Sequence, residues 1–131
     1  MNQPVIDNQI WKWIELTDAF VSAEEMQQHL VTGADFIDGQ LKKGNMVFVH
    51  CWAGVSRSST MTIAYLIKYK NMSLEDAMQH VRDKRSKIFP NGSFQNALRM
   101  FEKNGGVMPG GTDTNGDEHD TTASCCSCVL L

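Results

Sequence analysis

The stretch from Met46 to Tyr69 constrains the fold of this chain more than any other. It begins with a short apolar run, Met46 to Val49, that is typical of a buried strand, and it ends with an apolar run from Thr60 to Tyr69 that has the length of a helix. The residues between these runs form a loop that leads from a strand into a helix N-terminus. Such a loop collects unpaired backbone N–H groups and the positive end of the helix dipole, so an anion is its natural ligand.

Cys51 and Arg57 flank this loop and carry the chemistry. A thiol beside a helix N-terminus has a pKa lowered to roughly 3.5–7.5, and the thiolate is the nucleophile. Arg57 can hold two oxygens of a phosphate in bidentate fashion. Gly54 lets the backbone turn close to the anion, and the Ser58 hydroxyl can hydrogen-bond the sulfur and help it leave. These residues predict phosphate transfer through a cysteinyl-phosphate intermediate.

The ten residues His50-Cys51-Trp52-Ala53-Gly54-Val55-Ser56-Arg57-Ser58-Ser59 resemble the signature loop of cysteine-based protein phosphatases. The form H-C-x-x-G-x-x-R-S-[ST] is similar to that of the dual-specificity branch. The resemblance implies a supporting position for His50 and a phosphate-binding loop made of Trp52, Ala53, Gly54, Val55, Ser56 and Arg57. A bare C-x5-R also occurs in arsenate reductases and rhodanese-like domains, and an inert buried Cys51 is the structural alternative.

Asp18 is the candidate general acid, and this assignment depends on the resemblance. The run from Ile10 to Leu16 partly alternates and is rich in β-forming residues, which predicts a strand. In the dual-specificity family, a strand of this kind ends in a loop that bears the acid ahead of the cysteine. The implied role of Asp18 is to protonate the leaving oxygen and then to activate water. A solvated turn at Asp18, and Asp7 as the acid, are the alternatives.

Four helices are predicted from the spacing of apolar residues and from their caps. Ser22 and Glu25 form a capping box ahead of the first helix, and Gly44 ends it. Ser73 is the N-cap of the third helix. The predicted helices are 23–43, 60–70, 74–85 and 94–103.

The end of the third helix is basic. Its cations are Arg82, Lys84, Arg85 and Lys87. Cations suit a helix C-terminus, so these side chains complement the dipole on a solvated face. Contact with a phosphorylated substrate or an acidic partner is the functional alternative.

The run from Ile88 to Leu98 is similar to the P-N-x-x-F pattern that closes dual-specificity domains. In that family the Asn packs against the phosphate loop, which implies a supporting role for Asn91. The resemblance therefore extends from about Trp11 to Glu102.

The resemblance implies an α/β fold, with a cysteine-phosphatase-like sheet flanked by helices. A complete dual-specificity domain has several strands and a helix ahead of the Asp-bearing strand. We therefore expect the sheet to be incomplete at the N-terminus, with residues 1–103 as a partial catalytic domain. A sheet of two strands leaves edges and apolar surface exposed, and Trp11 and Trp13 are then poorly covered.

The composition is that of one ordinary globular domain: 131 residues, 42% hydrophobic and 21% charged. No apolar run approaches the ~18 residues of a membrane span, and no N-terminal signal pattern is found, which predicts a cytoplasmic protein. The net charge is −3, and four acidic residues after Lys103 leave only +1 for residues 1–103. A nucleic-acid partner is not expected, because binding one needs a basic stripe on the folded part.

Residues 104–131 form a Gly-rich, acidic segment that is predicted to be disordered. Three of the four cysteines lie in its last seven residues, so a disulfide framework is not indicated. The final four residues match C-a-a-X with Leu at X, which predicts geranylgeranylation of Cys128 and membrane association. One lipid anchors weakly, and palmitate on Cys125 or Cys126 would supply a second signal. A chance match and a zinc cluster with His119 are the alternatives.

The predicted function is hydrolysis of phosphotyrosine and of phosphoserine or phosphothreonine in signalling proteins. Cys51 is the nucleophile, Arg57 holds the phosphate, and Asp18 is acid and then base. Neither a metal nor a cofactor is expected. A catalytically weak or inactive module that binds phosphate or phosphopeptides, as a result of truncation, is the alternative. An arsenate reductase or sulfurtransferase is disfavoured by Asp18 and by the Pro90-Asn91 match.

Overall fold

Helices dominate the part of the chain that the structure, a computed structural model, describes. That part comprises residues 12, 14–16, 21–52 and 54–107, with the backbone of 127–129. The elements in chain order are α1 (Ala23–Lys42), β1 (Phe48–Val49), α2 (Arg57–Lys70), α3 (Leu74–Lys84), α4 (Gly92–Lys103) and β2 (Ser127–Val129). None of these helices is both long enough and apolar enough to cross a membrane.

Helix α1 forms where its capping box and apolar spacing predict it. The Ser22 hydroxyl accepts a hydrogen bond from the backbone N–H of Glu25 at 3.2 Å, which satisfies one of the donors that a helix start leaves open. The apolar stripe of α1 is buried against α2 and α4. The helix ends at Lys42, and Gly44 has a φ of +80°, as a C-terminal stop requires. These predictions are confirmed.

Helix α2 is the centre of the core. Every residue from Ser58 to Ile67 is buried, and the helix packs against α1, α3 and α4. Asn71 ends it in the left-handed conformation with a φ of 53°. Helix α2 begins three residues earlier than the apolar run alone predicts, so Arg57 and Ser58 belong to its first turn.

Helices α3 and α4 complete the helical layer. The Ser73 side chain accepts from the N–H of Asp76 at 3.1 Å, as predicted. Asn91 caps α4 in the same way, accepting from the N–H of Phe94 at 2.9 Å, so α4 begins at Gly92 rather than at Phe94. Phe94 is completely buried, and burial of one such side chain stabilises the fold by roughly 1.5–3 kcal/mol.

The strands are shorter than predicted, and one lies elsewhere. The run Met46 to Val49 forms a strand only at Phe48–Val49, and it pairs antiparallel with β2. The expected strand from Ile10 to Leu16 is wrong for its described residues, 12 and 14–16, which have no strand conformation. A strand needs a ladder of backbone partners, and the Leu16 carbonyl instead accepts a hydrogen bond from Arg57. The fold class, α/β with few strand residues, is confirmed.

The segment predicted to be disordered includes β2, Ser127–Val129. Two features explain this strand: an apolar run with β-branched Val129, and the edge that β1 offers for pairing. At the other end of the segment, Gly106 donates its N–H to the carbonyl of Phe101 at 2.8 Å and completes the end of α4.

Apolar side chains near β1 remain exposed, as expected of a small sheet. The exposed fraction is 89% for Met46, 60% for Phe48 and 80% for Trp52. Trp11 and Trp13 lie outside the described residues.

Candidate active site

Cys51 lies two residues beyond β1, and its side chain is buried at the start of the loop. The N–H of Gly54 donates to Sγ of Cys51 at 3.2 Å. Sγ and the Ser58 hydroxyl oxygen are 3.3 Å apart and form a second hydrogen bond. The sulfur is therefore hydrogen-bonded both to the middle of the loop, at Gly54, and to the first turn of α2, at Ser58.

These contacts affect the pKa of the Cys51 thiol, which determines the charge of the sulfur. Burial raises the pKa of the Cys51 thiol, but hydrogen bonds from the Ser58 hydroxyl and from backbone N–H groups lower it. The backbone donors are those of Ser58, Gly54 and Val55. The pKa of Cys51 is lowered on balance, because several donors favour the thiolate over the thiol. A lowered pKa is the property that a cysteine nucleophile needs.

The N-terminus of α2 supplies donors because no side chain caps it. Ser56 is the N-cap residue, but its hydroxyl makes no capping hydrogen bond, unlike the side chains of Ser22, Ser73 and Asn91. The first N–H groups of a helix have no partners within the helix, so they are available to an anion.

The carbonyl groups of the loop are bound by donors from α2. The Ser59 hydroxyl donates to the carbonyl of Val55 at 2.7 Å and to that of Ser56 at 2.9 Å. The Thr60 hydroxyl donates to the same Ser56 carbonyl at 2.7 Å. A peptide whose C=O is held on one side presents its N–H to the other, so these bonds favour donors that face the sulfur.

A second support comes from the segment between α3 and α4. Arg85 donates from Nε to the carbonyl of Gly54 at 3.1 Å. The N–H of Phe89 donates to the carbonyl of Val55 at 2.7 Å. The backbone N–H of Asn91 donates to the Ser56 hydroxyl at 3.0 Å. Three successive loop residues are thus held from one neighbouring segment.

Arg57 is anchored away from the loop. Its Nη1 donates to the carbonyl of Leu16 at 3.2 Å, which uses one of the five N–H donors of a guanidinium. Arg57 and Cys51 line the same cavity. A cation fixed in this way suits the charge of a bound oxyanion.

The cavity has a volume of about 400 Å³ and is mostly apolar. The polar loop residues Cys51, Arg57 and Ser58 contribute to its lining. Its apolar lining includes Ile14, Leu16, Phe36, Ile37, Val47, Phe48, Val49 and Met61. The cavity therefore places the reactive sulfur beside an apolar space between α1, β1 and residues 14–16.

Most of the predicted site residues lie together, and the others lie elsewhere or outside the described residues. The structure brings together Cys51, Trp52, Gly54, Val55, Ser56, Arg57 and Ser58 in the loop and first turn of α2, with Asn91 against them. His50 is exposed, and its ring lies edge-on to Phe48 at 6.3 Å, beside the strand. Asp18, Asp7, Ala53, Cys125 and Cys126 lie outside the described residues. The backbone of Cys128 is in β2.

Sequence reasoning missed five contributors to the loop and to its arginine: Ser59, Thr60, Leu16, Arg85 and Phe89. The two hydroxyl residues follow the Arg in the first turns of α2, where Ser and Thr often donate to a carbonyl one turn back, and this signal was available. Leu16 acts through its backbone carbonyl, which leaves no trace in side-chain patterns.

The fold places a cysteine of lowered pKa in a loop of backbone donors at a helix N-terminus, an arrangement suited to an oxyanion. Comparison with known proteins gives the family. Residues 4–104 match the model of the dual specificity phosphatase catalytic domain. The chain belongs to this family.

Curated relatives agree with this assignment. A protein of Invertebrate iridescent virus 6 named as a tyrosine phosphatase is 42% identical over 91 residues, which cover 70% of this chain and 63% of that protein. Human dual specificity protein phosphatase 5 is 38% identical over 92 residues, or 70% of this chain and 23% of that protein. The chain thus spans less than two thirds of the length of these relatives.

Solved structures also match. The crystal structure of human DUSP28 superimposes with a TM-score of 0.63 at 28% sequence identity. The match covers 68% of this chain and 59% of that one.

Proposed function

We propose that this protein is a phosphatase that hydrolyses phosphotyrosine and phosphoserine or phosphothreonine in protein substrates. The observation that carries the proposal is the bonding of Cys51: its sulfur accepts the N–H of Gly54 at 3.2 Å within a loop whose carbonyls are held elsewhere. A lowered pKa makes the thiolate available near neutral pH, and the same donors suit the equatorial oxygens of a phosphate.

In the first step the Cys51 thiolate attacks phosphorus. An S–P bond forms, the ester O–P bond breaks, and the electron pair of that bond stays on the leaving oxygen. Arg57 and the loop N–H groups stabilise the charge on the equatorial oxygens during the transfer. A proton from Asp18 neutralises the leaving oxygen, which would otherwise depart as an alkoxide or phenoxide.

In the second step water attacks the cysteinyl phosphate. Asp18, now a carboxylate, takes the proton of the water, the new O–P bond forms, and the S–P bond breaks. The sulfur leaves as a thiolate, and the Ser58 hydroxyl, 3.3 Å away, stabilises it by donating a hydrogen bond. The products are the free hydroxyl of the substrate and inorganic phosphate, and no metal or cofactor takes part.

The role of Asp18 has support from a neighbouring contact. Leu16 precedes Asp18 by two residues, and its carbonyl is bound to Arg57 at 3.2 Å. This contact ties the chain that leads to Asp18 to the residue that holds the phosphate. Replacement of Asp18 by Asn should therefore slow turnover of substrates with poor leaving groups more than turnover of aryl phosphates.

The direct test measures turnover of p-nitrophenyl phosphate and of phosphopeptides by the wild-type chain and by Cys51→Ser. We expect the substitution to lower the rate by on the order of a thousandfold or more, since the nucleophile is lost. Equal rates from the two proteins would refute the proposal. Binding of phosphopeptides without turnover by the wild type would favour a binding module instead.

We also propose that the C-terminal segment attaches this cytoplasmic protein to membranes. The support is the C-a-a-X match at Cys128, with Cys125 and Cys126 as candidate sites for palmitate. The proposal takes Leu131 as the C-terminal residue in the cell. Because Ser127–Val129 pairs with β1, the segment must leave this strand to enter a prenyltransferase.

Labelling of cells with an isoprenoid analogue tests this second proposal. Wild-type protein should take up the label and Cys128→Ser should not. An unlabelled wild-type protein would contradict it, whatever the phosphatase assay shows.

A further inference from the structure

Arg85 follows α3 directly and contacts the loop at Gly54. Its Nε donates to the Gly54 carbonyl at 3.1 Å. Gly54 has a φ of +67°, and a Cβ atom placed on it would lie 2.9 Å from Nη2 of Arg85. The guanidinium therefore lies flat against the one loop residue that has no side chain to keep it away.

This contact acts on one peptide group, the one between Gly54 and Val55. Its carbonyl accepts from Arg85. Its N–H, on Val55, is one of the backbone groups that lower the pKa of the Cys51 thiol. In a planar trans peptide the C=O and N–H point in opposite directions, so a bond that holds the oxygen outward also aims the N–H inward. The Arg85 side chain thus orients the N–H of Val55, a group to which it is not bonded.

We propose that Arg85 is a positioning residue, which holds the Gly54–Val55 peptide with its carbonyl turned away from the bound oxyanion and its N–H turned toward it. This inference rests on the proposed function and names a further residue for the same site. A glycine at positive φ leaves the adjacent peptide free to rotate at little steric cost. Rotation would turn a carbonyl oxygen toward the anion, where it would repel the negative charge.

The neighbouring loop carbonyls are held differently. Those of Val55 and Ser56 accept from hydroxyls of α2, and Val55 also from the backbone of Phe89. The Gly54 carbonyl accepts from a charged side chain 31 residues further along the chain. A hydrogen bond from a charged donor is stronger than a neutral one, and it polarises the peptide so that its N–H becomes a better donor.

Arg85 can be replaced without opening the core, because its side chain is exposed. Arg85→Met keeps an apolar stem over Gly54 and removes the guanidinium. Lys84→Met is the matched control, since Lys84 is the exposed last residue of α3 and the same positive charge is lost one position earlier. Arg85→Ala serves as a second variant should Arg85→Met not fold.

Two readouts are needed, and neither requires turnover. The first is the pH dependence of Cys51 alkylation by iodoacetamide, and the second is the affinity for tungstate. We expect Arg85→Met to move the alkylation profile to higher pH and to weaken tungstate binding about tenfold, the effect of losing one hydrogen bond to a charged group. Lys84→Met should leave both near wild type.

The inference fails if Arg85→Met and Lys84→Met behave alike in both measurements, because the role would then be only a contribution to net charge. It also fails if Arg85→Met lowers thermal stability but leaves the alkylation profile and the tungstate affinity unchanged. The proposed function fails separately, when the wild-type chain does not hydrolyse an aryl phosphate. Failure of one is thus distinguishable from failure of the other.

Discussion

The helical layer and the strand side of this molecule are built differently. The helical layer, α1 to α4, has side-chain caps at the starts of α1, α3 and α4 and a closed core in which Phe94 and Phe101 are completely buried. The strand side, β1 with residues 14–16, has two-residue pairing, exposed apolar side chains and a cavity of about 400 Å³. Stability therefore resides in the helical layer.

The loop from Cys51 to Ser56 lies at the boundary between the two regions, and most of its hydrogen bonds come from the helical layer. Hydroxyls of α2 and the segment between α3 and α4 bind its carbonyls. From the strand side it receives the bond between Arg57 and Leu16. The geometry of the loop can persist where the sheet is small, because the hydrogen bonds of the loop do not depend on the sheet.

The largest expected effect is on the free energy of unfolding, and it tests whether the helical layer supplies most of the stability. Phe101→Ala should lower the free energy of unfolding by about 3–5 kcal/mol, since it opens a cavity in a closed core. Phe48→Ala should change it by less than about 0.5 kcal/mol, because Phe48 is already 60% exposed. Urea unfolding followed by circular dichroism measures both. Similar losses of unfolding free energy in the two variants would show that the strand side is packed as tightly as the helical layer.

The next effect concerns the thiolate that the loop stabilises. Because the hydrogen bonds lower the pKa of Cys51, its alkylation should reach half its maximal rate at a lower pH than that of a free cysteine. Ser58→Ala removes the hydroxyl that contributes most to lowering this pKa, so the alkylation profile should move to higher pH. Breakdown of the cysteinyl phosphate should slow by about ten- to a hundredfold.

Stopped-flow alkylation and single-turnover kinetics measure these changes. Ser22→Ala is the control, because it removes a hydroxyl of the same size from the cap of α1. An unchanged profile in Ser58→Ala would show that the backbone donors alone stabilise the sulfur.

The smallest expected effect separates two roles of Asn91, as the cap of α4 and as a neighbour of the loop. Asn91→Ala should cost about 1 kcal/mol of stability through loss of the α4 cap, and Ser73→Ala should cost a similar amount through loss of the α3 cap. The two should differ in tungstate affinity, measured by calorimetry. The backbone N–H of Asn91 remains in Asn91→Ala and donates to Ser56, so loss of the cap should weaken tungstate binding by displacing this donor, whereas the loss of Ser73 should not. Equal tungstate affinities of the two variants would show that Asn91 acts only as the cap of α4.

Much of the helical layer could be read from the sequence because its signals are local. Ser22, Ser73 and the apolar spacing of α1 placed two helix starts correctly, since a cap bonds to the third residue after it. The strands could not be predicted as well. Ile10 to Leu16 has strand-like residues, but a strand forms only where a partner lies beside it, and a partner is a distant part of the chain.

The amino-acid sequence alone indicated the family and predicted the loop from Cys51 to Ser58 with its thiol and guanidinium, because residue types at fixed spacing carry that information. Only the tertiary structure decided which groups hold the loop in shape. The Leu16 carbonyl and the Arg85 guanidinium reach it from 41 and 31 residues away along the chain. Contacts at such separations depend on how the helices pack, and no local pattern specifies that packing.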